Sequence, residues 1–214
     1  MPDLNLKFGI ILLASYLIGS FPTAFLVVKL FHKKDVTKEG SGNVGTLNAF
    51  TVSKSKLAGL LVLLVDFLKG SIPMLFLILF GKLSIAGIYV AAVFLILGHN
   101  YNIWLKFKGG RGLATGAGIF IVINFLMVIG WGIIWLIASL FKKDILVSNF
   151  AATLSMPVLA VVFKNIFLMT FMNETGGNEI GSYIYFIVFV TLLTLVILLR
   201  HIEIFKSSAN KEFK

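Results

Sequence analysis

Long apolar stretches that alternate with short polar segments dominate this chain. The clearest are Phe8–Phe31, Leu57–Phe80, Leu83–Leu105, Val147–Met172 and Gly181–Leu199. A helix of about 20 apolar residues crosses a bilayer core. The chain is 58% hydrophobic and 13% charged, whereas a soluble domain carries about 25% charged residues. One small core could not hide that much apolar surface, so the sequence predicts an all-α integral membrane protein.

One further stretch, Leu113–Phe141, has no charged residue and would be over about 40 Å long as a single helix. It lies between two basic clusters, Lys106–Arg111 and Lys142–Lys143. A single crossing would put these clusters on opposite sides of the membrane. Two short crossings with an apex near Asn124 keep both on one side. The prediction is therefore seven transmembrane helices in a single polytopic domain, residues 1–214.

The basic residues give this arrangement an orientation. With seven crossings, 14 of the 19 Lys and Arg residues lie on the same side as the C-terminus, whereas only Lys7 and Lys82 lie on the other side. Because cytoplasmic loops are enriched in Lys and Arg, we expect the N-terminus outside and the C-terminus in the cytoplasm. This distribution explains the net charge of +10 without a nucleic-acid partner.

The chemistry open to the chain is limited by its composition. It has no cysteine, which excludes a disulfide scaffold, a cysteine nucleophile and cysteine-ligated metals. No closely spaced set of His and carboxylate residues accompanies the histidines, so we expect no metal site. No cofactor is implied.

Two of the predicted cytoplasmic segments are rich in glycine. In the first, near residues 32–56, glycines alternate with Ser41 and Asn43 directly before a predicted helix. In the second, residues 98–118 hold six of the 20 glycines, and basic side chains flank Gly109–Gly110. Free backbone N–H groups, cations and a helix start together bind phosphate well. Ordinary loops and tight basic turns are the alternatives.

Four ionisable residues lie within or at the ends of the apolar stretches. Asp66 and Lys69 are spaced i, i+3 on one helical face, in a setting where charges are costly and usually functional. We expect them to pair, either as a structural pair or in contact with substrate. His99 and His201 lie at predicted cytoplasmic boundaries, the latter in a third segment near residues 200–206. If both histidines face one anion-binding surface, they could act in acid–base catalysis or in binding phosphate.

These features occur in an order that resembles one family. The matching residues are Gly19–Pro22, Gly40–Gly45 with Asn48, Asp66–Gly70, Gly98–His99, Phe107–Thr115, and His201 with Glu203. The chain resembles the bacterial acyl-phosphate:glycerol-3-phosphate acyltransferases (PlsY type), as a divergent member. The resemblance spans nearly the whole chain, and its two glycine-rich motifs are highly specific in combination.

The resemblance implies a multi-pass protein of the bacterial inner membrane with a cytoplasmic active site. The implied reaction moves a fatty acyl group from acyl phosphate to the sn-1 hydroxyl of glycerol 3-phosphate. It yields lysophosphatidic acid and inorganic phosphate in phospholipid biosynthesis, without a covalent Ser or Cys nucleophile. The implied partners are the two substrates and membrane lipid. We expect the chain to act as a monomer, because its spans can pack on one another.

The resemblance also assigns site residues. Catalytic roles fall to His99, Arg111 and Ser41. Substrate binding falls to Asn43, Gly45, Asn48, Lys69, Lys108, Gly109, Gly110, Gly112, Thr115 and His201. We expect Ser41, Asn43, His99, Arg111 and His201 to surround one cytoplasm-facing pocket.

Several positions depart from the family pattern. Thr51 replaces a family Arg that helps to bind glycerol 3-phosphate, and Lys54 and Lys56, about one helical turn further on, are the candidates to replace it. Arg111 replaces a family Lys, which keeps the charge but changes the geometry. Ile202 replaces a family Arg, and Ser148 and Asn149 are the nearest matches to a Ser-rich helix start. A catalytically altered paralogue and a transporter of a phosphorylated metabolite therefore stay open as alternatives.

Overall fold

The computed structural model describes residues 2–162 and 179–212, and the residues it describes form helices and no strand. The helices are α1 (Pro2–Gly19), α2 (Thr23–His32), α3 (Thr46–Ser53), α4 (Lys56–Phe80), α5 (Ile85–Asn100), α6 (Leu113–Ile123), α7 (Phe125–Lys142), α8 (Ile145–Leu154), α9 (Met156–Val162) and α10 (Glu179–Glu212). A short 3₁₀ turn covers Ile103–Leu105.

Five segments of the described chain are long and apolar enough to cross a membrane. They are Asn5–His32, Lys56–Phe80, Ile85–Leu105, Ile145–Val162 and Tyr183–Glu203. Two shorter apolar helices, Leu113–Ile123 and Phe125–Phe141, lie between the third and fourth of these. The all-α membrane class is confirmed. Seven crossings and their orientation stay predictions.

The long apolar stretch after the second glycine-rich segment is broken at Asn124, the position where an apex was expected. Asn124 has an extended backbone between α6 and α7, and its side-chain oxygen accepts a hydrogen bond from the Leu126 N–H at 3.0 Å. An Asn in this position caps the new helix. The break therefore comes from local helix-capping chemistry.

The first apolar stretch, expected to be a single span over Phe8–Phe31, falls within one candidate span, but its helix is interrupted. The chain leaves the helix after Gly19 and re-enters one at Thr23, because Pro22 has no N–H to continue the ladder. Side chains from distant parts of the chain bind the carbonyls at this break. Lys69 donates to the Phe21 carbonyl at 3.2 Å, and Asn102 donates to the Ser20 carbonyl. Non-helical backbone at membrane depth requires such partners.

Within the stretch Val147–Met172, an internal proline such as Pro157 would be expected to kink a continuous helix. Instead α8 ends at Leu154, and Pro157 is the second residue of α9. Proline is tolerated in the first turn of a helix, where its missing N–H would have no intrahelical partner, so the break precedes it. The remainder of that stretch, residues 163–172, lies outside the described residues, as does most of the polar loop that follows.

Close helix contacts bring the polar segments together. A Cβ atom on Gly70 or Gly118 would clash with the backbone of the facing helix where α4 packs on α6. The same holds for Gly19 and Gly98 where α1 packs on α5. Small residues allow membrane helices to approach this closely. As a result, the middle of α4 lies beside the end of α5 and the start of α6.

Asp66 and Lys69 form a buried ion pair on α4, as expected. The Lys69 Nζ atom lies 2.8 Å from the Asp66 Oδ1 atom, and the two residues are 8% and 2% exposed. Each charge depends on the other, because an unpaired buried charge is costly. The pair also joins α4 to the break before α2 through the Phe21 carbonyl.

We predict that Lys69→Met lowers the free energy of unfolding by about 3–5 kcal/mol, because it leaves the Asp66 carboxylate buried and unpaired. The measurement is thermal unfolding of the purified protein in detergent. The control is the double variant Asp66→Asn/Lys69→Met, which removes both charges and should recover most of the lost stability. A single variant as stable as the parent would show that the pair does not support the bundle.

Candidate functional site

A cavity of about 490 Å³ lies among α3, α4, the end of α5 and the starts of α6 and α8. Its polar lining residues are Asn43, Thr46, Lys56, Asp66, His99, Arg111 and Asn149. Its apolar lining residues include Leu47, Phe50, Leu60, Leu63, Leu113 and Ile145. Leu60, Leu63 and Ile145 are also exposed on the outer surface, so the cavity reaches the face that would meet lipid. Such a lining fits an amphipathic ligand.

The first glycine-rich loop is held in shape by Asn48. Gly40 and Gly42 have φ angles of 59° and 73°, a left-handed conformation that favours glycine. Asn48 Nδ2 donates to the carbonyls of Val36 and Glu39 at 2.9 and 3.2 Å, and Asn48 Oδ1 accepts from the Ser41 N–H at 3.0 Å. The polar atoms of Asn48 thus bind the loop, and Asn48 does not line the cavity.

Asn43 is the residue that this loop presents to the cavity. It is buried, and its Oδ1 atom has no hydrogen-bond partner within the described part of the chain. Ser41 lies beside it, with the Ser41 Oγ atom accepting from the Asn43 N–H at 3.4 Å. Ser41 is not among the lining residues. The backbone of Gly45 completes this side of the cavity.

The second glycine-rich segment lies between the end of α5 and the first glycine-rich loop. The Gly110 N–H donates to the His99 carbonyl at 3.1 Å, and the Val44 N–H donates to the Gly109 carbonyl at 3.5 Å. A Cβ atom on Gly109 or Gly110 would clash with these neighbours. Gly112 has a φ of 81° and is the N-cap residue directly before α6. Glycine is therefore required by close packing at two positions and by the backbone angle at a third.

His99 lies at the end of α5, buried and lining the cavity. Its Nδ1 atom is 3.3 Å from the Thr115 Oγ1 atom and 3.9 Å from the Asp66 Oδ1 atom. The Thr115 hydroxyl lies within hydrogen-bond distance of this nitrogen and orients the imidazole, whereas the Asp66 carboxylate is further away. The other nitrogen, Nε2, lies towards Gly110. The second glycine-rich segment and the ion pair thus meet at this ring.

Arg111 brings a positive charge to the cavity. Its Nε atom is buried and has no partner among the residues described. Burial, and then the nearby charge of Arg200, lower the pKa of the Arg111 guanidinium. An anion would relieve both effects, because it favours the charged form of a buried cation. The geometry therefore favours a phosphate or carboxylate next to Arg111.

His201 lies near this charge but is not a lining residue of the cavity. Its Nδ1 atom is 3.0 Å from the Ile197 carbonyl oxygen, one turn earlier in α10. Its Nε2 atom is buried without a partner in the part of the chain that the structure describes. A proton on Nδ1 would leave Nε2 as an acceptor. The third polar segment thus contributes a second oriented imidazole.

Comparison with known proteins identifies the family. A family model described as glycerol-3-phosphate acyltransferase matches residues 9–211. The chain is 37% identical over 161 residues to the glycerol-3-phosphate acyltransferase of Pelagibacter ubique (strain HTCC1062), covering 75% of this chain and 82% of the relative. It is 33% identical over 216 residues to glycerol-3-phosphate acyltransferase 2 of Lactobacillus johnsonii, covering 97% of this chain and 87% of the relative. The chain belongs to the glycerol-3-phosphate acyltransferase family.

Solved structures agree with this membership. The crystal structure of PlsY (YgiH), an integral membrane glycerol 3-phosphate acyltransferase, in its glycerol 3-phosphate form aligns with a TM-score of 0.74 and 27% identity. The alignment covers 92% of this chain and 88% of that chain. The lysophosphatidic acid form of PlsY aligns with a TM-score of 0.72. The family resemblance read from the sequence motifs is therefore confirmed.

The structure brings together only some of the residues that the motifs single out. The predicted residues that line the cavity are Asn43, Gly45, His99, Arg111 and Gly112. Thr115 contacts His99, and Lys69 contacts the lining residue Asp66. Lys108 is exposed and does not line the cavity. The sequence motifs did not single out Arg200, because the match to the family was made at its neighbour His201. In the structure Arg200 donates to the Gly109 carbonyl.

We predict that Gly110→Ala destabilises the protein by about 1–3 kcal/mol, because its Cβ would push against the His99 ring and the Val44 carbonyl. The control is Gly132→Ala on α7, where nothing lies within 4 Å of the added atom. That change should be neutral or stabilise by about 0.5–1 kcal/mol. Thermal unfolding in detergent measures both. Equal effects at the two positions would contradict the close packing of the loop against His99.

Proposed function

We propose that this protein transfers a fatty acyl group from acyl phosphate to the sn-1 hydroxyl of glycerol 3-phosphate. The products are lysophosphatidic acid and inorganic phosphate, in phospholipid biosynthesis. Family membership supports the acyltransferase reaction, and the PlsY structures are described as glycerol 3-phosphate and lysophosphatidic acid forms. The observation that carries the proposal is the single cavity in which Arg111, His99 and Asn43 face the same space as exposed apolar side chains.

The two kinds of lining suit the two ends of an acyl phosphate. Arg111, Lys56 and the loop glycines offer positive charge and backbone donors for phosphate groups. Leu60, Leu63 and Ile145 offer an apolar surface for the acyl chain, continuous with the outer surface of the bundle. The lipid-borne donor would enter from the bilayer and the soluble acceptor from water.

In the proposed reaction, the sn-1 hydroxyl oxygen attacks the acyl carbonyl carbon, and the bond from that carbon to the phosphate oxygen breaks. The hydroxyl proton passes to a phosphate oxygen of the substrate. No covalent enzyme intermediate is needed, in keeping with a chain that has no cysteine. The protein then acts by positioning two anions and stabilising the developing charge.

The residue roles follow from this scheme. We propose that His99, Arg111 and Ser41 are catalytic and that Asn43, with the loop glycines and His201, binds substrate. Lys69 would act through Asp66, Thr115 through His99, and Asn48 through the loop that it holds. Lys108 would contribute as an exposed cation near the entrance.

Thr51 stands where the family pattern has an arginine, and a nearby lysine is a candidate to supply the missing charge. Thr51 is exposed, and its hydroxyl donates to the Leu47 carbonyl at 2.9 Å, so it does not line the cavity. Lys56, at the start of α4, does line it. We propose that Lys56 supplies the charge that the family Arg would bring to glycerol 3-phosphate.

We further propose that α6 and α7 both cross the membrane, which gives seven crossings in one domain. The N-terminus is then outside and the cavity faces the cytoplasm of the bacterial cell, in its inner membrane. The charge distribution supports this orientation. The packing of the described helices on one another supports a monomer.

The orientation can be tested directly because the chain has no native cysteine. We predict that a cysteine at Lys82 reacts with a membrane-impermeant maleimide on spheroplasts, whereas a cysteine at Lys54 reacts only after the membrane is opened. Both lysines are exposed, so the two variants control for each other. Labelling of Lys54→Cys in sealed spheroplasts would reverse the proposed topology.

We predict that Arg111→Ala lowers kcat/KM with acyl phosphate and glycerol 3-phosphate by at least about 10- to 150-fold. This is the value of a charge-assisted contact worth about 1.5–3 kcal/mol. Arg111→Lys, which keeps the charge, should retain most activity. The assay measures phosphate release and lysophosphatidic acid formation by purified protein.

Other results of this assay would favour the alternatives. An Arg111→Ala variant that turns over like the parent would remove Arg111 from the site. A parent protein that binds phosphate but forms no product would indicate a catalytically altered paralogue. Uptake of glycerol 3-phosphate into sealed vesicles without acylation would indicate a transporter.

A further inference from the structure

Arg200 does not line the cavity, yet it binds the glycine-rich segment that does. We propose that Arg200 is a positioning residue, which fixes the peptide group between Gly109 and Gly110 and so sets the location of Arg111. The kinetic part of this inference rests on the function proposed above. The structural part depends only on contacts made by Arg200.

The Arg200 guanidinium is held from several sides. Its Nη1 atom donates to the Glu203 Oε2 atom at 2.8 Å, and its central carbon lies 5.7 Å from the centre of the Tyr101 ring. The Tyr101 hydroxyl donates to the other oxygen of Glu203 at 3.2 Å. The Arg200 side chain is only 12% exposed. Three side chains thus fix one another, which leaves the second arm of the guanidinium in a defined position.

That second arm reaches the glycine-rich segment. Arg200 Nη2 donates to the Gly109 carbonyl at 3.1 Å, and the same oxygen accepts from the Val44 N–H at 3.5 Å. A carbonyl oxygen has two lone pairs and can accept two hydrogen bonds; here each of the other two polar segments supplies one of the donors. The Gly109 carbonyl therefore joins all three predicted cytoplasmic segments.

The opposite edge of this peptide group is also bound. The Gly109 carbonyl and the Gly110 N–H belong to one planar peptide unit, and the Gly110 N–H donates to the His99 carbonyl at 3.1 Å. Arg200 and His99 thus hold the unit from its two sides. Glycines on their own allow many backbone conformations, so these bonds determine where Arg111 begins.

The geometry favours arginine over lysine at this position. The two nitrogens of one planar fork bind Glu203 and the Gly109 carbonyl at the same time. A lysine has a single ammonium on a flexible stem and no planar group to lie over Tyr101. Arg200→Lys keeps the charge but not the simultaneous contacts. It therefore separates positioning by the fork from a general effect of positive charge.

The test compares Arg200→Ala, Arg200→Lys and Glu203→Gln with the parent. The control is Lys29→Ala, which removes an exposed cation of α2 that is no part of the site. For each protein we would measure kcat, the KM for glycerol 3-phosphate, the protection against thermal unfolding by inorganic phosphate, and the unfolding midpoint without phosphate.

We expect Arg200→Ala to lower kcat/KM by about 10-fold or more and to weaken phosphate protection to a similar degree. Arg200→Lys and Glu203→Gln should show smaller losses, and Lys29→Ala none. Added methylguanidinium should restore part of the activity of Arg200→Ala, because it can occupy the place of the missing fork. A purely stabilising role would lower the unfolding midpoint but leave KM and phosphate protection unchanged.

Parental kcat/KM and phosphate protection in Arg200→Ala would overturn the inference. Should that variant fail to fold, parental values in both Arg200→Lys and Glu203→Gln would overturn it equally. A parent protein without acyltransferase activity would defeat the proposed function instead. In that case the phosphate-protection series still decides whether Arg200 positions the loop.

Discussion

The buried ion pair of Asp66 and Lys69 links the fold of this protein to its site. In a bilayer no water satisfies a charge or a free carbonyl, so each must find its partner inside the bundle. Lys69 binds both Asp66 and the Phe21 carbonyl at the break between α1 and α2. Asp66 in turn lines the cavity next to His99. One pair therefore joins the broken first helix, α4 and the end of α5.

The breaks in the helices follow from the same constraint. Each releases backbone groups that other parts of the chain must bind. At Asn124 the side chain caps the next helix, and at Ser20 the carbonyl receives the Asn102 amide. Some buried polar side chains thus satisfy the backbone, whereas others line the site. This dual demand explains why so many buried polar residues occur in a chain that is otherwise apolar.

Sequence reasoning predicted the features that depend on local pattern. The apolar stretches, the break at Asn124 and the pairing of Asp66 with Lys69 all follow from composition, length and i, i+3 spacing. The glycine-rich motifs and the family resemblance also singled out Asn43, His99 and Arg111, which line one cavity in the structure. Each of these rests on residues that are close in sequence or that belong to a recognisable motif.

The features that sequence reasoning missed depend on contacts between distant segments. The resemblance assigns Asn48 to substrate binding, and the structure adds that its amide donates to the loop carbonyls of Val36 and Glu39. The charge pattern counts Arg200 only as a cytoplasmic cation, whereas in the structure it donates to the Gly109 carbonyl about 90 residues away in the chain. Hydrogen bonds to backbone atoms leave no signature in side-chain spacing, so only the packed helices reveal them.

Stability alone does not account for the polar atoms around the cavity. Arg111 Nε, Asn43 Oδ1 and His201 Nε2 are buried without partners among the described residues, and such groups reduce the stability of a fold. The Arg111 guanidinium is further disfavoured by the nearby charge of Arg200. The lysine and arginine positions of a merely structural membrane bundle would instead be paired, as Lys69 is. We infer that an anionic group of a ligand accepts from Arg111 Nε, and that hydroxyl groups of the same ligand donate to Asn43 Oδ1 and His201 Nε2, so that these residues are retained for binding at a cost to folding.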